Sequence, residues 1–355
     1  MLERVGIIAL RILWQFRRDR RSLALVFVVP LIVMTLMTAL IRSGGQSLEM
    51  AVTGPGVLPG VTPIVPEGAV KLKEIGAKSA EQAVRDGDVY AVLTIPREGA
   101  SGATLIVDGS DPGRTEGAKQ ITRLLKIAFG GGAASAAGIA LAQPVPTTYL
   151  HAGPQFTTTD TLAAALLGLF VILFTYLLSA VGVLRERSQG TLERLRASPA
   201  TTTETVLGYL GGFLFFGIAQ SVIVLGFFVG VLRIHHSGNL ALVLLVQTLL
   251  VIIGVALGLV FSTVSANELQ AVQLIPLIIV PQILMSGVIW PVTTLPIVLK
   301  QLAYVLPLTY AVDALRGVMI RGAGLGGIAL DLIVLCGAAI LLLAVGTRAL
   351  GRQAA

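Results

Sequence analysis

Six apolar runs constrain this chain more than anything else in it: roughly Leu23 to Ile41, Leu162 to Leu184, Val206 to Leu232, Leu240 to Val264, Ala271 to Ile289 and Leu325 to Val345. Crossing a bilayer takes about 20 apolar residues in a form that satisfies its own backbone hydrogen bonds, and a helix does so. Each run therefore predicts a membrane-spanning helix, and the chain as a whole a polytopic α-helical membrane protein. Pro30, Pro276 and Pro281 fall inside the first and fifth runs and are expected to kink them. Composition agrees, since 55% hydrophobic and 13% charged residues lie outside the range of soluble domains.

The net charge of +7 does not point to nucleic acid, because the cations cluster beside the apolar runs, where they set membrane orientation. Arg4, Arg11, Arg17, Arg18, Arg20 and Arg21 precede the first run; Arg185, Arg187, Arg194 and Arg196 follow the second; Arg348 and Arg352 follow the last. With six spans all three groups share one side, which predicts cytoplasmic termini, a cytoplasmic loop 185–205, and segment 42–160 outside a plasma (inner) membrane. The first run is longer than a secretory h-region and no A-x-A site follows, so residues 23–41 read as an uncleaved transmembrane helix 1. Residues 161–355 carry helices 2–6.

Residues 1–22 have Arg4, Arg11, Gln15 and Arg18 near one helix face and Leu2, Val5, Ala9, Ile12, Leu13 and Phe16 over much of the other. One reading is a cytoplasmic amphipathic interfacial helix with Trp14 at headgroup level and its arginines on anionic lipid. The other is that these charges only set topology. Segment 42–160 reads as a small α/β domain. Strands are predicted at Leu48 to Val52, Val70 to Ile75, Val89 to Ile95 and Ala103 to Val107, with helices from Ser79 to Arg85 and Thr115 to about Ala128.

Catalytic chemistry is hard to find. His235 and His236 in HHSGN lack further zinc ligands, the acidic spacing in IVDGSDPGRTEG does not fit an EF-hand, and neither a Walker A loop nor a G-x-S-x-G elbow occurs. Cys336 is the one cysteine and lies in an apolar run, so no intramolecular disulfide is expected. Catalytic, cofactor and metal residues are expected to be absent from this chain. Apart from Asp331, the runs hold almost no charge, which weakens ion-coupled transport. Gln220, Gln247, Gln273 and Gln282 either hydrogen-bond between helices or line a pathway. The pairs Gly208/Gly212, Gly226/Gly230 and Gly254/Gly258 permit close helix contact.

Between the second and third runs lies RERSQGTLERLRASPATTTETV, a charged, helix-forming segment that ends at Ser198-Pro199 and is held on both sides by spans. Its Arg185, Glu186, Arg187, Gly190, Thr191, Leu192, Glu193, Leu195, Ser198 and Pro199 resemble the cytoplasmic loop of type-2 ABC exporter permeases. A basic residue usual in that family a few positions later is replaced by Gly208-Tyr209. After the fifth run, Ser286-Gly287, Pro291, Leu295-Pro296, Leu306-Pro307, Tyr310, Asp313 and Arg316 resemble the family's outer segment of re-entrant helices. Proline at 291, 296 and 307 independently breaks 290–324 into pieces too short to span, and Asp313 and Arg316 are placed to pair at i, i+3.

The resemblance implies six transmembrane helices with an extracellular α/β domain between the first and second and re-entrant helices, residues 290–324, between the fifth and sixth. It also implies that the 185–205 loop docks on a separate cytoplasmic ABC ATPase, which carries ATP and Mg. Two permease chains, identical or different, would surround a pathway through which a drug, lipid or lipopeptide leaves. A secondary transporter and a non-transporting scaffold or sensor are the rival readings.

Overall fold

The computed structural model describes residues 1–43, 51–53, 81–82, 91–94, 104–107, 147–149, 158–289 and 292–352. The chain divides into two units, Met1–Met37 with Leu162–Ala355, and Thr38–Thr161.

In the first unit, α1 (Leu2–Arg18) is separated from α2 (Arg20–Ser43) by Asp19. There follow α3 (Thr158–Ser188), α4 (Thr191–Arg196), α5 (Thr202–Gly230), α6 (Leu240–Val264) and α7 (Glu268–Met285). Then come α8 (Ile297–Ala303), α9 (Pro307–Met319) and α10 (Ala329–Arg352). Among the described residues, six helices are long and apolar enough to cross a membrane: α2, α3, α5, α6, α7 and α10 with the 3-10 turn before it. Three of them start at side-chain caps. Thr201 and Glu204 form a capping box that starts α5, while Asn239 and Asn267 accept from Ala241 and Gln270 to start α6 and α7. The fifth apolar run extends to Ile289, but the helix stops at Met285 because Gly287 takes φ +80°. Helices α2 and α7 each run through their internal prolines as single elements.

Helix α3 is the hub, with most of its span buried, whereas α2, α7 and α10 bury little of theirs. Gly254 and Gly258 let α6 lie directly against α3: a Cβ at Gly258 would sit 2.8 Å from the Ala180 nitrogen and the Tyr176 carbonyl. Gly208 and Gly212 likewise accept Ile8 and Ile12 of α1 onto α5. Gly226 and Gly230 have open space in front of them, so only two of the three predicted G-x-x-x-G pairs seat a helix in this unit.

The segment after α7 is broken. Helices α8 and α9 meet at a bend of 81°. Carbonyls left over at the end of α8 are taken up across the bend, Ala303 by the Thr309 hydroxyl at 2.6 Å and Tyr304 by the Tyr310 hydroxyl at 2.9 Å. The expected Asp313–Arg316 pair is not what forms. Asp313 pairs with Arg321 at 2.8 Å, and Arg316 reaches back to the Val288 carbonyl at 3.4 Å. Arg321 turns back onto α9 from the tight corner at Gly322, φ +66°, which brings its guanidinium to Asp313. Pro291 lies outside the described residues, whereas Pro296 caps α8 and Pro307 is the first residue of α9.

The second unit holds a four-stranded sheet in the order β1 (Ala51–Thr53), β2 (Ala91–Thr94), β3 (Thr104–Val107), β4 (Thr147–Tyr149). The outer pairs are parallel and β2–β3 is antiparallel, with Ala91 opposite Val107. Ala91, Val92, Leu105 and Val107 are buried. Strand β4 falls in a Pro- and Thr-rich stretch too short for an alternating pattern, and only pairing with β3 makes it a strand. The predicted strand Val70 to Ile75 and helix Thr115 to Ala128 lie outside the described residues, and of the predicted helix Ser79 to Arg85 only Glu81 and Gln82 are described, as helical.

Candidate functional site

The charged segment between the second and third spans is not one helix. Arg185, Glu186 and Arg187 form the last turn of α3, Gly190 breaks the chain with φ +69°, and Thr191 to Arg196 make the short α4. Thr191 donates from its hydroxyl to the Glu186 carbonyl at 3.0 Å, tying α4 to the end of α3. Ser198 closes the far end on the Leu195 carbonyl, and Pro199 precedes the Thr201 cap of α5. Leu192 is buried, whereas Arg187, Glu193, Arg194, Ala197 and Pro199 are exposed and Leu195 is half-buried. The result is a short exposed ledge with one apolar root.

What holds the ledge is a carboxylate. Glu186 is 2% exposed, an expensive position for a charge unless it is paired and hydrogen-bonded. The Tyr209 hydroxyl of α5 donates to its Oε2 at 2.5 Å, and Arg11 of α1 brings Nη2 to 2.5 Å from Oε1. Three helices therefore converge on one residue, immediately before the Gly190 break. Arg4 adds a second tie, donating to the Pro199 carbonyl at 2.6 Å and lying 3.6 Å from Glu204. Arg4 and Arg11 thus serve carboxylates of the protein. On the other side of α1, Ile7, Leu10 and Trp14 are exposed, Arg17 lies 5.0 Å over the Trp14 ring, and Arg18 is exposed. Ile8, Ile12 and Phe16 form the buried face, with Phe16 edge-on to Phe213 at 5.5 Å.

Asp19 makes a third tie. Its carboxylate caps α2 through the Ser22 amide and hydroxyl and accepts from Arg185 at 2.5 Å. Arg185 also lies 3.5 Å from Glu268 at the start of α7. Burial works against ionisation of Asp19, but the bonds from Arg185 and Ser22 outweigh it and hold its carboxyl down at about 2. Because the folded protein binds that proton more weakly than the unfolded chain, the contribution is complete above about pH 4 and lost towards pH 2. Asp19→Asn should therefore melt earlier than the parent at pH 7, with the gap closing as pH falls from about 4 to about 2 in detergent.

Sequence reasoning missed Asp19, Tyr209 and Glu204. The Thr201-x-x-Glu204 and Asp19-x-x-Ser22 spacings were available as capping signals, but nothing local marks Tyr209 as the partner of Glu186. The glutamines scatter: Gln220, Gln247 and Gln282 are buried in helix seams, and Gln273 is exposed.

A buried helical hub ringed by apolar helices, with its second and third spans joined through an exposed ledge, defines a polytopic α-helical membrane protein. The chain belongs to the ABC-2 family transporter protein family, which it matches over residues 20–348. It is similar to ABC transporter G family member 20 of Dictyostelium discoideum, 32% identical over 180 residues, covering 51% of this chain and 24% of that protein. It is also similar to two probable multidrug ABC transporter permeases of Escherichia coli K12: YbhS, 27% identical over 147 residues, and YbhR, 28% identical over 161. Those matches cover 41% and 45% of this chain and 39% and 44% of the two permeases, so the chain spans less than half the length of these curated relatives.

Proposed function

We propose that the chain is the membrane-spanning permease subunit of an ATP-driven exporter, moving a hydrophobic or amphipathic substrate such as a drug, lipid or lipopeptide outward across the plasma (inner) membrane. The observation that carries this is the α4 ledge, whose exposed Glu193 and Arg194 stand on a base anchored through Glu186 to α1, α3 and α5. A body that pushes α4 moves three helices together, because a buried ion pair resists separation. In this reading a separate cytoplasmic ABC ATPase, holding ATP and Mg, docks on Arg187, Gly190, Thr191, Glu193, Leu195, Ser198 and Pro199 and supplies that push. Arg185, Glu186 and Leu192 pass it inward.

The N- and C-termini are then cytoplasmic, the four-stranded unit is extracellular, and the α8–α9 bend is a re-entrant hairpin in the outer leaflet. Helix α1 lies in the inner interface with Ile7, Leu10 and Trp14 in lipid and Arg17 and Arg18 at anionic headgroups. A second permease chain completes the pathway, for which Gln273 is the exposed glutamine. The relatives named as probable multidrug permeases support the substrate class.

Replacing Glu193 and Leu195 together by alanine tests the reading. The variant should insert normally and still assemble with its ATPase, yet hydrolyse ATP without export in proteoliposomes. Normal export per ATP hydrolysed would overturn it, as would export by the purified chain with no ATPase present.

A further inference from the structure

Helices α5 and α6 each bury polar side chains, and they treat hydroxyls and carboxamides differently. Ser221, Thr248, Ser262 and Thr263 all donate to a carbonyl three or four residues back in their own helix. Gln220 and Gln247 are both 0% exposed and make no such bond. Gln220 donates from Nε2 to the Phe170 carbonyl of α3 at 3.4 Å, leaving its Oε1 without a partner, and Gln247 has neither Nε2 nor Oε1 partnered. Three buried polar atoms therefore stand unsatisfied inside a span, where bulk water cannot reach them and each empty bond is costly.

The helix register places them at one level of the α5–α6 seam. The two helices are joined by the short connection 231–239, so they run antiparallel, and Gly217 of α5 packs on Val251 of α6. Gln220 lies three residues outward from Gly217 and Gln247 four residues outward from Val251, steps that keep each on the same helix face. Rises of about 4.5 and 6 Å leave the two amides at nearly one level. On α3 the Phe170 carbonyl faces Gln220, and one to two turns further inward Thr175 packs against both Gly217 and Gly254.

We infer that the α3–α5–α6 seam holds a sealed hydration site, in which water bridges the Gln220 carbonyl oxygen and the Gln247 carboxamide. Three unsatisfied polar atoms at one level of one buried seam supply the partners a buried water requires. The site has a mechanical consequence. A bridging water re-forms its bonds at several offsets, so α5, the helix that follows α4, shifts along α6 without stranding an amide. A direct Gln–Gln bond would instead hold a single offset.

X-ray radiolytic footprinting of the full chain in lipid nanodiscs tests this, because bound water generates hydroxyl radicals beside itself even where bulk solvent is excluded. The expected result is oxidation at Val246, Leu250 and Val251 at least several-fold above that at the equally buried Val255, Ala256 and Leu259. In H₂¹⁸O the incorporated oxygen should lag behind that at exposed positions. A Gln220→Leu/Gln247→Leu double variant should lose this labelling while retaining it at exposed sites. Absence of labelling in the parent, or equal labelling in a folded double variant, overturns the proposal. If the double variant does not fold, Gln247→Leu alone serves the same comparison. A double variant that melts well above an unlabelled parent marks the seam as empty and also overturns it.

Discussion

Arg11→Met should destabilise the protein by about 3 kcal/mol, the lower end of what breaking a buried ion pair costs. The low end applies because Arg11 itself is 38% exposed, whereas Glu186, at 2%, is not. Removing the guanidinium leaves a buried carboxylate with the Tyr209 hydroxyl beside it and no compensating charge. Adding Glu186→Gln should then recover most of the loss, since the amide still accepts from Tyr209 and no longer strands a charge. Thermal unfolding of the four proteins in one detergent gives the coupling energy, expected between about 1 and 3 kcal/mol. Additive effects, with a coupling below about 0.5 kcal/mol, would show that α1 is not fastened to α3 through this pair.

Gly258→Leu should yield no folded protein. An added Cβ would meet the Ala180 nitrogen and Tyr176 carbonyl at 2.8 Å, and these are backbone atoms of the hub helix, which cannot yield unless α3 and α6 part. One misplaced methylene in a packed core costs about 1–3 kcal/mol, and leucine adds several where none fits. Gly258→Ala should already lower the melting temperature clearly. Gly226→Ala is the matched control: nothing lies within 4 Å of it, and alanine favours the helix by up to about 1 kcal/mol. Size-exclusion profiles and melting curves of the three variants decide the point. A Gly258→Leu protein that elutes and melts like its parent would mean that α3 and α6 do not pack through this glycine.

Parts of the site were legible and parts were not, for identifiable reasons. Gly190 and Ser198-Pro199 carry local signals, and they do delimit α4. The fate of Arg185 and Glu186 has no local signal. Hydropathy reads them as loop, but backbone hydrogen bonding carries α3 through to Ser188 because their charges find partners on α1, α5 and α7. For the same reason the Gly208-Tyr209 pair looks like a departure from the family's basic residue, yet in three dimensions Gly208 seats Ile8 and Tyr209 holds Glu186.

The amino-acid sequence determined the six candidate spans and the α8–α9 break, because hydropathy and proline act within a few residues. Only the tertiary structure decided that α3 is the hub and that Arg11 belongs to Glu186. It also decided that Asp313 belongs to Arg321, and that β4 is a strand at all. Each of those outcomes rests on contacts between segments far apart in the chain, or on a turn that redirects one side chain, and no periodicity along the chain encodes such a meeting.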